Sequence, residues 1–244
     1  MIQWQPRYKE LLINTNELHI WRSILPPTLN QLNSYWQILA SDEKTRANQF
    51  RFERDKIRYI VGRGILRELI ARYIKNSPKT IKLDYTQHGK PFLVTSSSSN
   101  ELYFNLSHSH DCIVCAFTKN IDVGIDVELY QPQFTIEDVA KYCFSKQEYD
   151  KLQNLSSYQK HSYFYSVWTL KEAFVKSIGL GLTYDLQQIK IDLLPQESAC
   201  SVSILNSQEE GTDWTFQTFC PYKNYYAAFA TRQILKRILY FNFD

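Results

Sequence analysis

Glycine and proline are scarce in this chain, seven and eight among 244 residues, which excludes long flexible linkers. No apolar run approaches the roughly 20 residues that span a bilayer, and the opening MIQWQPRYKE has no basic stretch followed by an apolar core of the secretory kind. A cytoplasmic protein with no membrane partner is expected. An excess of one charge is lacking too. Twenty-eight basic against 25 acidic residues give a formal +3, which admits an anionic ligand or an acidic partner but is too small for generic nucleic-acid binding. The five cysteines are odd in number and lack disulfide-framework spacing, so free thiols are expected. There is neither a glycine-rich P-loop nor a dinucleotide fingerprint, so any bound phosphate must be held by side chains and metal.

What is present is the make-up of a folded protein, 44% apolar, 15% aromatic and 22% charged, long enough for one large domain or two small ones. ELHIWRSIL (17–25) reads as a strand and PPTLNQLNSYWQILASDEKTRANQF as two helices, with Ser41 as N-cap ahead of Asp42 and Glu43. From Asp55 to about Lys75, Ile57, Val61, Ile65, Leu69 and Tyr73 recur every four residues, which predicts a long, centrally packed helix. Arg58, Arg63, Arg67 and Arg72 lie off that stripe and give the helix a basic side. QHGKPF reads as a turn followed by an extended piece. ELYFNLS, DCIVCAFT and the segment 120–129 read as a small antiparallel sheet. Ser145 with Glu148 matches a capping box, and Ser157 to Ile178 reads as a second long helix ended by Gly179. Strands IKIDLL, SVSIL, WTFQTF and YYAAFA follow, so the second half repeats the order of the first. The expected fold is α+β with two similar halves, each a small, mainly antiparallel sheet packed with a long helix, although no residue-level repeat is visible.

NIDVGIDVEL (120–129) alternates two faces: Ile121, Val123, Ile125 and Val127 on one, Asp122, Gly124, Asp126 and Glu128 on the other. The first face suits a core. The second sets repelling carboxylates beside a glycine that leaves room for a ligand or another backbone, and a cation would settle it. In WTLKEAFVKSIGLGL, Trp168, Glu172 and Lys176 stand at i, i+4 and i+8 along one helix face. Glu172 and Lys176 alone make an ordinary surface ion pair, worth about 0.2–0.5 kcal/mol. Asp126 and Glu128 alone suit a solvated sheet face. If the helix faces the strand, Asp126, Glu128 and Glu172 form an oxygen-only set suited to magnesium and a phosphate.

Zinc is the competing metal. His108, His110 and Cys112 alternate, and Cys112 with Cys115 formally matches C-x-x-C. Strand residues three apart point to opposite faces, however, and Cys143, Cys200 and Cys220 stand alone, so Cys112 and Cys115 read as small core residues. His108, at a strand end, is placed to hold an anion or cap a turn. Lys44, Arg58 and Lys90 are basic residues that solvated surfaces also explain.

Together, GKP, FNLSHS, GIDVE and FYSVWTLKEAFVKSIGLGL resemble the 4′-phosphopantetheinyl transferases of the surfactin-synthetase-activating type, in order from ASDEKTRANQFRFERDKIRYIVGRG to the C-terminal strands. The resemblance implies halves in pseudo-twofold arrangement, here 1–119 for coenzyme A phosphate contacts and 120–244 for the magnesium site and catalytic helix. It implies transfer of 4′-phosphopantetheine from coenzyme A to a serine of an apo acyl or peptidyl carrier protein, with 3′,5′-ADP released. It implies Asp126, Glu128 and Glu172 as Mg2+ ligands, with Lys176 near the coenzyme A phosphates and Ser107, His108 and Lys90 as coenzyme A contacts. Arg58 and Lys44 match phosphate-binding positions, Lys44 only across a gap, and a second lysine usual nearby is replaced by Arg46 or Ala47. Glu172, Lys176 and His108 are the expected catalytic residues, Glu172 taking the serine proton directly or through a metal-bound water. Trp168 and Lys171 are expected to shape the site, unless Lys171 serves packing or carrier contact. The carrier is expected on the segment from Tyr130 to Tyr165, and the tail ILYFNFD closes the core. Two halves in one chain imply a monomer. The alternatives are a magnesium-dependent hydrolase of nucleotide pyrophosphates and a noncatalytic nucleic-acid module on the arginine side of the first long helix.

Overall fold

The computed structural model describes residues 2–6, 11–95, 101–193, 200–204 and 214–243. In chain order these form β1 (Trp4–Gln5), β2 (Glu17–Ile24), α1 (Leu29–Ile38), α2 (Ser41–Asn48), α3 (Glu53–Tyr73), β3 (Leu83–Tyr85), β4 (Pro91–Leu93), β5 (Leu102–Ser109), β6 (Cys112–Lys119) and β7 (Val123–Leu129). Then come α4 (Ile136–Cys143), α5 (Lys146–Gln153), α6 (Ser157–Ile178), β8 (Ile189–Leu193), β9 (Cys200–Ile204), β10 (Thr215–Phe219), β11 (Tyr225–Thr231) and β12 (Arg237–Asn242). The fold is α+β.

Strand alternation builds the layers. Leu18, Ile20, Val114 and Ala116 of the sheet β1-β12-β2-β6-β5 share a buried cluster with Val123, Ile125, Val127, Ala227 and Phe229 of the sheet β10-β11-β7. On the outer face of the first sheet, Trp21, Ile113, Cys115 and Phe117 receive Val61, Ile65 and Leu69 of α3. On that of the second, Phe216, Ala228 and Ala230 receive Leu170, Ala173 and Phe174 of α6. The order is helix, sheet, sheet, helix.

Segments 101–107, 111–118 and 120–129 do not share one sheet, contrary to the sequence reading. β5 and β6 pair within the first sheet, whereas β7 pairs with β11 in the second. Val123, Ile125 and Val127 need the apolar space between the sheets while Gly124 and Asp126 need α6, and only the second sheet offers both. Side chains tie β5 to β7 at the seam: Asn105 Oδ1 accepts the Ile125 N–H at 2.9 Å and Ser109 Oγ the Leu129 N–H at 3.1 Å. The expected division at 119/120 is crossed by β12, which lies parallel to β2 and brings Phe241 and the following Phe243 into the first core.

A residue-level repeat unseen in the sequence appears in the buried charges. Glu43, third residue of α2, accepts the Ala40 N–H at 2.9 Å and binds Arg63 and Arg67 of α3 at 2.7 and 2.5 Å. Arg67 in turn donates to the Pro78 and Ile81 carbonyls. Glu148, third residue of α5, accepts the Ser145 N–H at 2.6 Å and binds Lys171 of α6 at 2.9 Å, which donates to the Leu186 and Ile189 carbonyls. Each half thus pins a short helix and the segment after the long helix through one buried carboxylate. Two readings are corrected. Ser41 is the first helical residue, with Ala40 at the N-cap position. Arg63 and Arg67 are buried rather than forming a solvated basic side, which removes the surface the nucleic-acid reading needed.

Candidate active site

Gly124 makes the site possible by letting another backbone in. A Cβ there would stand 1.9 Å from the Ala173 carbonyl oxygen and 2.4 Å from the Ser177 nitrogen, so only glycine lets α6 lie this close to β7. That approach brings Glu172 and Lys176, one helical turn apart, over Asp126. Asp126 is 3% exposed. Its Oδ1 accepts from Lys176 Nζ at 2.5 Å and from Ser107 Oγ at 2.9 Å, and Lys176 Nζ also reaches Ser107 Oγ at 3.0 Å. Glu128 Oε2 accepts from Ser109 Oγ at 2.9 Å, and Trp168 also hydrogen-bonds to Glu128.

The electrostatics call for a cation. Asp126 Oδ2 and Glu172 Oε1 are buried without a hydrogen-bond partner. Burial raises the pKa of Glu172 above the usual carboxylate value, Lys176 opposes this, and Asp126 adds to it. The Glu128 pKa is raised by burial and then by Asp126, against the hydrogen bonds from Ser109 and Trp168 and the charge of Lys176. Asp126 is therefore the hub that both glutamates feel. Among the described residues no group of three or more His, Cys, Asp or Glu side chains stands close enough together to hold a metal ion, and the Lys176 ammonium stands against Asp126. The orphaned carboxylate oxygens fit a hard divalent ion that takes oxygen ligands and completes its shell with water and phosphate.

β5 is the wall between these carboxylates and a second feature. Ser107 and Ser109 face β7, whereas Leu106 and His108 line a cleft of about 520 Å³ with Arg46, Arg58, Tyr59, Arg63 and Tyr85. Arg58 is aimed by bonds to the His110 carbonyl at 2.7 Å and to Asp55 at 3.0 Å, and Arg63 by Glu43 and the Tyr85 hydroxyl. Desolvation, then the cations of Arg58 and Lys176, hold the His108 pKa below the ordinary imidazole value. The cleft suits a polyanion carrying a flat ring.

Some expected residues stand elsewhere. Asp42 and Arg46, at i and i+4, face the cleft, so Lys44 lies half a turn away and puts its ammonium 5.8 Å from the Trp36 ring. The Lys90 ammonium donates to Asp122 and to the Ser177 carbonyl, both at 2.7 Å, which clasps the GKP turn to the C-terminal end of α6. Lys171 serves packing, fully buried on Glu148. Cys112 and Cys115 lie in different apolar clusters, and His110 leaves the strand at a φ of 50°. Ser109 escaped the sequence reading, which named Arg46 only as a replacement for a lysine and Arg63 only as part of a basic helix side. The i, i+4 spacing of Asp42 and Arg46 was the available signal that Arg46 faces the cleft; nothing local marked Ser109.

Two family models match successive stretches of the chain: "4′-phosphopantetheinyl transferase, N-terminal" over residues 23–120 and "4′-phosphopantetheinyl transferase superfamily" over residues 122–230. The chain is 38% identical to the 4′-phosphopantetheinyl transferase HetI of a Nostoc species, over 80% of this chain and 82% of that one. It is 28% identical to a putative 4′-phosphopantetheinyl transferase of a Synechocystis species, over 80% and 76%. It is 30% identical to the human L-aminoadipate-semialdehyde dehydrogenase-phosphopantetheinyl transferase, over 79% and 66%.

Proposed function

The chain belongs to the 4′-phosphopantetheinyl transferase family, and from that premise we propose how its residues share the reaction. The enzyme transfers the phosphopantetheine group of coenzyme A to a carrier protein. In this reading, of the surfactin-synthetase-activating type, the acceptor is a serine of an apo acyl or peptidyl carrier, and the enzyme acts as a cytoplasmic monomer. Arg46, Arg58 and Arg63 hold the nucleotide phosphates in the cleft, with Tyr59 and Tyr85 beside the ring and neutral His108 donating to a phosphate oxygen. Asp126, Glu128 and Glu172 would hold a magnesium ion, which when bound neutralises diphosphate charge and polarises the phosphorus.

Ser107 and Lys176 connect the two regions. Lys176, already against Asp126, supplies positive charge where the leaving diphosphate oxygen becomes negative. The serine oxygen bonds to the pantetheine-side phosphorus, the bond to 3′,5′-ADP breaks, and the serine proton passes to Glu172. Lys90 steadies the turn above α6, and Lys44 stays on the rim. The carrier docks on the segment Tyr130 to Tyr165, where Phe134 and Tyr142 are exposed.

One observation carries this reading: buried, unpartnered oxygens of Asp126 and Glu172 beside a cleft lined with arginine. The test mixes the protein, coenzyme A and magnesium with a panel of apo carriers and reads intact mass. One phosphopantetheine added to a single serine is expected, and no gain on any carrier overturns the reading. Release of 3′,5′-ADP with no carrier present would make the enzyme a hydrolase instead.

A further inference from the structure

We propose that Ser109 is a positioning residue, whose hydroxyl at the end of β5 fixes the Glu128 carboxylate so that Asp126, Glu128 and Glu172 can share one divalent ion. The inference rests on the function proposed above. Ser109 is buried, and its Oγ accepts the Leu129 N–H at 3.1 Å and donates to Glu128 Oε2 at 2.9 Å. A hydroxyl has a single proton, so with its lone pair engaged by Leu129 that proton is directed at the carboxylate. His110 Nδ1, at 3.5 Å, is its other polar neighbour.

Glu128 needs such a restraint. It sits on the same face of β7 as Asp126, which repels it, and it is only partly buried, so the hydrogen bonds from Trp168 on α6 and Ser109 on β5 hold it against rotation toward water. β5 and β7 belong to different sheets, and side chains such as Ser109 and Asn105 set their alignment. Ser109 therefore does two things with one atom: it fixes the seam and aims the carboxylate. Ser107 plays a similar part for Asp126 but also touches Lys176, so Ser109 isolates the effect on the ion.

The test uses Mn2+ as a paramagnetic probe, bound to the protein without coenzyme A and followed by electron paramagnetic resonance. Ser109→Ala is expected to weaken Mn2+ about tenfold or more, the size typical of losing an outer partner of a ligand, and to raise the magnesium needed for half-maximal transfer similarly. The KM for coenzyme A at saturating magnesium is expected to stay within about twofold, and Ser109→Thr, which keeps the hydroxyl, to restore Mn2+ binding. A folded Ser109→Ala protein with wild-type Mn2+ affinity and magnesium dependence overturns the proposal, as does a folded Ser109→Thr protein as weak as Ser109→Ala. Should Ser109→Ala not fold, Ser109→Cys takes its place, and wild-type Mn2+ affinity there overturns the role. A wild-type protein that modifies no carrier speaks against the function; one that does so while the variants bind Mn2+ normally speaks against Ser109 alone.

Discussion

Adding one methyl group at Gly124 is the sharpest test of how the site is assembled. The new Cβ would meet the Ala173 oxygen at 1.9 Å where ordinary contact begins at 3.4 Å, so β7 and α6 must part locally by roughly 1.5 Å. Both obstructing atoms are backbone, so no side-chain truncation on α6 relieves the clash. Overpacking of this kind costs about 1–3 kcal/mol. At about 2–4 °C per kcal/mol for a chain of this size, Gly124→Ala lowers Tm by roughly 2–12 °C. The same parting moves Glu172 and Lys176 off Asp126, and a misplacement near 1 Å costs about 100-fold in rate. Transfer to a carrier at saturating substrates, measured well below Tm, is therefore expected to fall about 100-fold, whereas affinity for 3′,5′-ADP, held by the first half, stays within about twofold. A variant that loses thermal stability yet turns over within about threefold of wild type would falsify the idea that the close approach sets the geometry.

Further outcomes follow from other parts of the molecule. Arg46→Ala is expected to weaken 3′,5′-ADP binding about tenfold, and Lys44→Ala to leave it within about twofold, because only Arg46 faces the cleft; calorimetry of both variants decides, and the reverse order refutes the assignment. Glu172→Gln removes a buried charge that the site resists, so transfer falls by about 10²–10⁴-fold while the urea midpoint in chelator holds or rises; retained turnover removes Glu172 as the base. Burial, with a smaller push from the Arg237 cation, holds the His19 pKa down at about 4 against the opposing pull of the Glu17 carboxylate. The folded state thus binds a proton less readily than the unfolded chain, whose imidazole titrates near 6.5, so stability present above that pH is lost as pH falls toward 4. The loss is on the order of 3 kcal/mol. His19→Gln is expected to flatten that part of the urea midpoint profile, and an unchanged slope refutes it.

Period and end signals made much of this legible. α6 runs from Ser157 to Ile178 and stops at Gly179 with a φ of 72°, because a helix-length apolar pattern ended by glycine has few other readings. The two faces of β7 were equally readable, since alternation fixes which side chains point together. Partnership across distance was not. Arg63 and Arg67 looked like surface because Glu43, which neutralises them, lies 20 or more residues away on another helix. Lys90 matched the coenzyme A-contacting lysine of the GKP turn, yet its reach is decided by Asp122 and a helix end that no local pattern reveals. The doubled carboxylate clamp was hidden because one half answers its glutamate with arginines and the other with a lysine, so no letter repeats while the physics does.

β12 lies between β1 and β2, so a strand more than 200 residues further along the chain is inserted inside the sheet that β2 helps to build. Without residues 237–242, β2 would keep one backbone edge open and Trp21 would lack the Phe241 ring stacked on it. The first sheet is complete only with a strand from the far end of the second half. A chain cut short after β11 would leave the first sheet unfinished beside an intact β7 with its carboxylates.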